Sequence, residues 1–342
     1  MFFTRPLRLA GCVLLAACGS GRTSDPDTGS LVARDEVREI VSVLAADSLE
    51  GRRTGTPGSA RASRFLAERM RRYGLEPAGD SGYFQRVTYE AVRSPEGETL
   101  RLARPDAADT ARRVVDYNLV GLIRGSDPAL RNETVVLGAH FDHVGVGKPV
   151  GGDSIYNGAD DDASGVATVL AAARGLAKDP PERTVVVLLT SGEEYGVLGT
   201  QWYLERPAVP LGATVADLQV EMVGRPDTLV GAGKLWLTGF ERSTMGEELS
   251  GAGLPVVADP RPEFKFFERS DNIVFALRGI PAHTLSSYGM HGDYHQPSDA
   301  VDRIDFDHLT LAADLVARAV RVVANGPRPT WKPGGRPTPS TP

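Results

Sequence analysis

Short runs of β-branched and aliphatic residues alternate along the chain with longer segments whose apolar side chains recur every three or four positions. The runs at 134–137 and 184–190 predict buried strands. Helical spacing is clear at 57–73 and at 307–324, where the apolar positions fall on one face. Strands that alternate with helices in this way predict an α/β fold, with a mostly parallel central sheet flanked by helices on both faces.

The other segments fit the same scheme. They predict helices at 33–46, 163–178, 196–205, 241–250 and 270–278, strands at 214–222 and 281–287, and two or more strands within 83–124. The tail at 325–342 is rich in proline and has no large apolar cluster, so it is predicted to be disordered. A single folded domain is expected to span 33–324.

The N-terminus has the composition of a targeting segment. Arg5 and Arg8 precede an apolar stretch, 9–17, that is too short to span a bilayer. The sequence at 15–19, Leu-Ala-Ala-Cys-Gly, resembles the lipobox of bacterial lipoproteins. The resemblance implies a signal peptide at 1–17, a lipidated Cys18 and a flexible tether at 18–32. The protein would then be anchored in the cell envelope and face the periplasm or the exterior; an ordinary secretory signal is the alternative.

Composition limits the classes of partner. The 342 residues are 41% hydrophobic and 24% charged, which suits a globular domain with a substantial core. A formal net charge of −6 gives no basic face for nucleic acid, so no nucleic-acid partner is expected. Cys12 lies within the signal segment, so a mature chain that begins at Cys18 would contain no disulfide.

Acidic and imidazole side chains gather at the ends of the predicted strands, in four short segments. These are Ala-His-Phe-Asp-His at 139–143, Gly-Ala-Asp-Asp-Asp-Ala-Ser-Gly at 158–165, Ser-Gly-Glu-Glu-Tyr-Gly at 191–196 and Asp-Tyr-His-Gln-Pro-Ser-Asp at 293–299. In open α/β sheets, ligands bind beyond the carboxyl ends of the strands. Imidazoles and carboxylates without thiolates suit zinc and leave room for water. The segments therefore predict a hydrolytic metal centre.

The residues suggest a division of roles within this centre. Asp161 lies in a small glycine-flanked loop at the start of a helix and is the candidate to bridge two metal ions. The adjacent Glu193 and Glu194 point in different directions, so one can bind metal while the other exchanges protons with substrate. Asp142 is placed to orient the imidazole of His140. Acidic residues are also common at helix N-termini without any metal, which is the alternative for this cluster.

The four segments, in this order, resemble the co-catalytic di-zinc aminopeptidases of metallopeptidase clan MH, the bacterial aminopeptidase and glutamate carboxypeptidase type. Weaker similarity at 47–58, 83–85, 269–272 and 279–281 extends the resemblance over most of 34–323. It implies a zinc exopeptidase fold and an enzyme that hydrolyses peptides, most simply an aminopeptidase that uses two zinc ions.

The resemblance also implies roles for individual residues. His140 would bind one zinc ion, Glu194 and His295 the other, with Asp161 as the bridge and Glu193 as the general base. Glu221 occupies the position of the remaining ligand, where many relatives have aspartate. Tyr294 matches a tyrosine that stabilises the oxyanion in some relatives. No ligand role falls to the other histidines, His143, His283, His291 and His308, of which His291 is expected at most to line the cleft.

Two other functions are compatible with the same scaffold. Glutaminyl cyclases of the clan are transferases that use one zinc ion, and some relatives are binding modules that have lost their metals. The full set of Asp161, Glu193, Glu194 and Glu221 favours hydrolysis over both.

Overall fold

The computed structural model describes residues 1–2, 32–94, 97–104 and 112–338. Cys18 and nearly all of the expected signal and tether segments lie outside the described residues. Among the described residues, no helix has the length and apolar character needed to cross a membrane.

The described residues contain seven α-helices and twelve strands. The helices are α1 (Arg34–Leu44), α2 (Pro57–Arg72), α3 (Gly165–Lys178), α4 (Leu198–Glu205), α5 (Met245–Gly251), α6 (Asn272–Leu277) and α7 (Phe306–Asn325). The strands are β1 (Glu76–Pro77), β2 (Phe84–Ser94), β3 (Gly97–Leu102), β4 (Arg113–Ile123), β5 (Thr134–His140), β6 (Gly145–Val150), β7 (Asp153–Tyr156), β8 (Thr184–Thr190), β9 (Thr214–Val220), β10 (Leu235–Leu237), β11 (Val256–Ala258) and β12 (Ala282–Ser286).

One large sheet carries ten of these strands, in the order β11-β10-β12-β9-β5-β8-β4-β2-β3, with β1 beside β4. Strands β12, β9, β5 and β8 in its centre are parallel to one another. Every residue of β5, β8 and β9 is buried, as the continuous apolar runs require for strands covered on both faces. The outer strands β4, β2 and β3 are antiparallel, and β10 is antiparallel to β12.

Helices cover both faces, because alternate residues of the central strands enter two different cores. Val135, Leu137 and Val187 pack with α1, α2, α3 and α7 in the larger core. Val136 and Val186 pack on the other face with side chains from α4 and α6. The predicted α/β fold is therefore confirmed, with antiparallel strands at the edges of a parallel centre.

Three features differ from the sequence prediction. The hairpin of β6 and β7 and the short strands β10 and β11 were not predicted, because such brief runs carry little periodicity. The prediction of a disordered tail is wrong for residues 326–338. Trp331 pairs with Ser243 in an isolated β-bridge, and its indole N–H donates to the carbonyl of Gly279 over 2.9 Å.

Candidate metal centre

The predicted site residues lie together at the carboxyl ends of the parallel strands. His140 is the last residue of β5, and Glu193 and Glu194 follow β8 after a two-residue turn. Glu221 directly follows β9. Asp161 lies in a π-helical turn, Ala159–Ser164, that leads into α3, and its peptide bond to Asp162 is cis. The sheet thus places one or two candidate ligands at each of three adjacent strand ends.

Asp161 is at the centre of the cluster. Its Oδ1 lies 3.4 Å from Nε2 of His140, and its Oδ2 lies 3.1 Å from Nε2 of His295. The two oxygens of one carboxylate therefore face two different imidazoles. Glu194 contacts the same imidazole as Oδ2 of Asp161, since its Oε2 is 3.1 Å from Nε2 of His295.

His143 joins this cluster, although the sequence analysis gave it no role. Its Nδ1 lies 3.0 Å from Oε1 of Glu194 and 3.8 Å from Oδ2 of Asp161. One ligand atom from each of His143, Asp161, Glu194 and His295 lies within 4.8 Å of the others. Because a lone histidine after a strand end is common, only the fold could reveal this proximity.

The electrostatics of the cluster favour a bound cation. Burial opposes ionisation of Asp161, but its close contacts with the imidazoles of His140 and His295 hold its pKa well below the usual range. Burial raises the pKa of Glu221 to about 7 and that of Glu193 well above its usual range. Several carboxylates that share a buried site disfavour one another's charged forms. A divalent cation would remove that conflict.

The imidazoles support the same conclusion. Burial disfavours a charged imidazole, yet the carboxylates around His140, Glu193 foremost, hold its pKa well above its usual range. Hydrogen bonds to Asp161 and Glu194 outweigh burial and raise the pKa of His295 to about 10. Nε2 of His140 and Nε2 of His143 are buried without a hydrogen-bond partner among the described residues. Unpartnered buried nitrogens beside carboxylate oxygens fit a zinc site.

The carboxylates of Asp160 and Asp162, on either side of Asp161, accept hydrogen bonds from backbone N–H groups. Oδ1 of Asp162 accepts from the N–H groups of Gly165 and Met222, each over 3.0 Å. Asp160 accepts from the N–H of Gly224 over 2.8 Å and contacts Nε2 of His291 over 2.8 Å. Asp160 and Asp162 are thus occupied with fixing the loop, and His291 contacts Asp160.

Asp142 also differs from its expected role. Its carboxylate accepts from the hydroxyl of Thr54 over 2.9 Å and from the N–H of Glu193 over 3.2 Å. Nδ1 of His140 contacts the backbone carbonyl of Asp142 over 3.2 Å, whereas the nearest carboxylate oxygen is 3.9 Å away. Asp142 therefore orients His140 through its main chain and fixes the turn that carries Glu193 through its side chain.

Two arginines hold the loops together, and sequence reasoning missed both. Arg52 is fully buried and donates to the carbonyls of Phe141, Asn157 and Gly158, over 2.7, 2.5 and 3.0 Å. Its guanidinium thereby ties the segment after β5 to the turn that holds Asp161. The sequence signal was weak, because a buried arginine is indistinguishable from an exposed one without the fold.

Arg225 is the second arginine that links loops around the cluster. It donates to Oδ2 of Asp293 over 2.6 Å and to Oδ1 of Asp299 over 3.0 Å. Asp299 in turn accepts from the N–H of Asp161 over 3.0 Å. This chain of contacts joins the loop of His295 to the loop of Asp161. Asp299 was within the fourth sequence segment, but nothing there distinguished it from a solvated acid.

A cleft opens directly onto the cluster. Asp161, Glu193, Glu221 and His295 form one side of it. Tyr294 also lines the cleft and stacks on the ring of His295, with ring centroids 4.0 Å apart. A substrate bound here would lie against the carboxylates and imidazoles.

Known proteins share both sequence and fold with this chain. The family model described as peptidase family M28 matches residues 118–320. A probable leucine aminopeptidase 2 of Aspergillus fumigatus is 26% identical over 234 residues, which cover 61% of this chain and 44% of that protein. A vacuolar membrane protease of Lachancea thermotolerans is 35% identical over 130 residues, 36% of this chain and 12% of that protein. The chain thus spans about half or less of the length of these curated relatives.

Solved structures share the fold at low sequence identity. An aminopeptidase from Aneurinibacillus sp. strain AM-1 has a TM-score of 0.63 at 17% identity and covers 88% of this chain and 96% of its own. Glutaminyl cyclase from Porphyromonas gingivalis has a TM-score of 0.61 at 20% identity and covers 85% and 98%. The match to the family model extends over more than half of the chain and includes every residue of the cluster. The chain therefore belongs to peptidase family M28.

Proposed function

We propose that this protein is a zinc exopeptidase, an aminopeptidase that removes residues from the N-terminus of peptides. The observation that carries the proposal is the position of Asp161, whose two oxygens face different imidazoles beside Glu193 and an open cleft. That arrangement suits two metal ions that share one carboxylate.

The described residues divide into two ligand sets around Asp161. His140 and Glu221 would hold one zinc ion together with Asp161. Glu194 and His295 would hold the second, also with Asp161. Zinc bound there would polarise a substrate carbonyl and make water a stronger nucleophile.

Glu193 has the environment of a general base. It lines the cleft beside Asp161, and its main chain is fixed by the carboxylate of Asp142. Burial raises its pKa well above the usual range, so it holds a proton more readily than an exposed glutamate. Such a group can take a proton from a water molecule and give it to the leaving amine.

The negative charge of the cleft favours an N-terminal substrate end. Glu193 and Glu221 both line it, and an ammonium group is attracted to such a surface. Asp160 is excluded from this role because its oxygens are taken by Gly224 and His291. Tyr294 lines the same cleft and would donate a hydrogen bond to the oxyanion.

Zinc-loaded protein tests the proposal with paired substrates that carry a free or an acetylated N-terminus. Hydrolysis of the free form, one residue at a time, is expected. Glu193→Gln should lower kcat by roughly 100- to 10,000-fold with zinc content unchanged. Glu194→Gln should instead lose zinc, while the exposed Glu241→Gln serves as the control. Preferred cleavage of acetylated peptides from the C-terminal end would overturn the aminopeptidase assignment.

Zinc content separates this function from cyclase chemistry. Elemental analysis after dialysis is expected to give about two equivalents per chain, because five candidate ligands exceed the needs of one tetrahedral ion. One equivalent with full activity, and conversion of an N-terminal glutamine to a ring without peptide hydrolysis, would favour a glutaminyl cyclase.

The location of the protein follows from its N-terminal segment. Leu15-Ala16-Ala17-Cys18 closes a basic and then apolar stretch, which supports lipidation of Cys18 and anchoring at a membrane. A single acyl chain binds only marginally, whereas several chains anchor stably. Cys18→Ala should shift the protein from the membrane fraction to the soluble or unprocessed pool. Wild-type protein recovered free in the medium, with another first residue, would contradict the anchor.

A further inference from the structure

One wall of the cleft is aromatic. Trp236 from β10, Phe266 and Tyr288 line it together with Met222. Their rings are in contact, with centroids 5.3 Å apart for Trp236 and Phe266 and 6.0 Å apart for Phe266 and Tyr288. A substrate side chain next to the scissile bond would enter this space, so its walls decide which side chains fit.

Most polar atoms of this wall already have partners. The hydroxyl of Ser286 donates to the carbonyl of Met222 over 3.3 Å and accepts from the N–H of Tyr288 over 3.1 Å. The hydroxyl of Thr284 donates to Oδ1 of Asn272 over 2.9 Å. These groups need nothing from a ligand.

Trp236 is the exception. Its side chain is 2% exposed, and its indole N–H is buried without a hydrogen-bond partner among the described residues. Beside it on the wall, the hydroxyl of Thr238 accepts from the N–H of Thr284 over 2.8 Å, which leaves its own proton for another acceptor. A buried donor without a partner is costly, so such groups commonly await a ligand or water.

A positive charge beside these donors also favours a ligand that accepts hydrogen bonds. The guanidinium of Arg269 lies over the ring of Phe266, 5.2 Å from its centroid, and Arg269 also lines the cleft. An indole N–H, a hydroxyl proton and a guanidinium are all donors. A purely aliphatic side chain would leave the buried indole N–H unpaired.

We propose that the cleft selects a substrate residue whose side chain ends in a carbonyl-type oxygen, an amide or a carboxylate, and that the indole N–H of Trp236 is the donor that recognises it. This inference rests on the proposed exopeptidase function, because the side-chain cleft is the one that opens at Asp161 and Glu193. It assigns the specificity to one atom, Nε1 of Trp236.

Three substrates of similar size test the proposal on the full-length, zinc-loaded protein. Leucine, asparagine and aspartate each carry two heavy atoms on Cγ, which is tetrahedral in leucine and planar in the other two, so their aminoacyl p-nitroanilides compare a side chain without an acceptor with two that have one. The asparaginyl or aspartyl substrate is expected to have the higher kcat/KM. In Trp236→Phe, which keeps the aromatic wall, the ratio to the leucyl substrate should fall by roughly 3- to 10-fold, the value of one neutral hydrogen bond.

Trp202 provides a matched control. Its indole N–H is also buried without a partner among the described residues, but it packs under Arg206 and does not line this cleft. Trp202→Phe should leave the substrate ratio unchanged. A wild-type preference for leucine, or a ratio that Trp236→Phe does not alter, would overturn the proposal.

The experiment distinguishes recognition of an amide from recognition of a carboxylate. It also distinguishes failure of this inference from failure of the proposed exopeptidase function. If the cleft recognises a carboxylate, Arg269→Gln lowers turnover of the aspartyl substrate alone. If it recognises an amide, Arg269→Gln lowers turnover of neither the aspartyl nor the asparaginyl substrate. Hydrolysis without acceptor preference refutes this inference and leaves the exopeptidase function intact. If no substrate is hydrolysed, the exopeptidase function fails. Calorimetric titration of the zinc-loaded protein with free L-asparagine, L-aspartate and L-leucine then gives the same comparison.

Discussion

His143 gives the sharpest test of how this chain holds its metal. Its Nδ1 lies 3.0 Å from Oε1 of Glu194, while Oε2 of the same carboxylate faces His295 at 3.1 Å. One oxygen of Glu194 is therefore fixed by His143, and the other is presented to the site. We predict that His143→Phe weakens zinc binding, because the carboxylate then loses the contact that sets its orientation.

The size of the effect follows from the kind of contact removed. Loss of a group that orients a metal ligand typically lowers metal affinity by about 10- to 100-fold. That range corresponds to about 1.4–2.7 kcal/mol. His143→Asn places an amide N–H donor the same number of bonds from the backbone as Nδ1, so it should recover much of the lost affinity.

Competition for zinc with a chromophoric chelator measures the affinity directly, without reliance on turnover. His291→Gln is the control, because His291 contacts Asp160 instead of Glu194. The reasoning is refuted if His143→Phe binds zinc as tightly as the wild type, or if the phenylalanine and asparagine variants are equally impaired.

Three further predictions concern stability. Burial lowers the pKa of His283 to about 4, below its unfolded value near 6.5. The neutral imidazole therefore contributes fully to the free energy of unfolding above pH 6.5, and about 3 kcal/mol of that free energy is lost as the pH falls to 4. In urea unfolding across this range, the free energy of unfolding of His283→Gln should decline less steeply than that of the wild type. Trp331→Ala should cost about 2 kcal/mol, less than a fully buried tryptophan, because the residue is only partly buried, and a thermal melt would measure this. Arg225→Met leaves Asp299 buried without its ion pair and should lower the free energy of unfolding in urea by about 3 kcal/mol. The exposed ion pair of Arg318 with Asp314 should contribute less than about 1 kcal/mol.

The parallel centre of the sheet was predictable because its strands are buried on both faces. Residues 134–140 and 184–190 then need apolar side chains at nearly every position, which makes a strong sequence signal. The short strand 235–237 gives no comparable signal, since three residues show no period. Its importance for the cleft, through Trp236, emerges only when the sheet is assembled.

The proximity of the candidate ligands was predictable for a related reason. A strand end followed by His140 or by Glu193 and Glu194 is a local pattern, and the fold gathers such patterns at one edge. The contacts of His143 are not local. They depend on the turn after β5 bringing its imidazole to Glu194, 51 residues away. Sequence spacing cannot separate that arrangement from a histidine facing solvent.

The wrong prediction for the tail has the same origin. Residues 326–338 are poor in large apolar groups, so composition indicated disorder. A few well-placed contacts suffice instead: Trp331 packs against His283 and Phe267, with ring centroids 5.7 and 6.4 Å apart. Phe267 directly follows Phe266, which lines the cleft. The segment that composition described as a loose end therefore supports the wall on which substrate selection is proposed to depend.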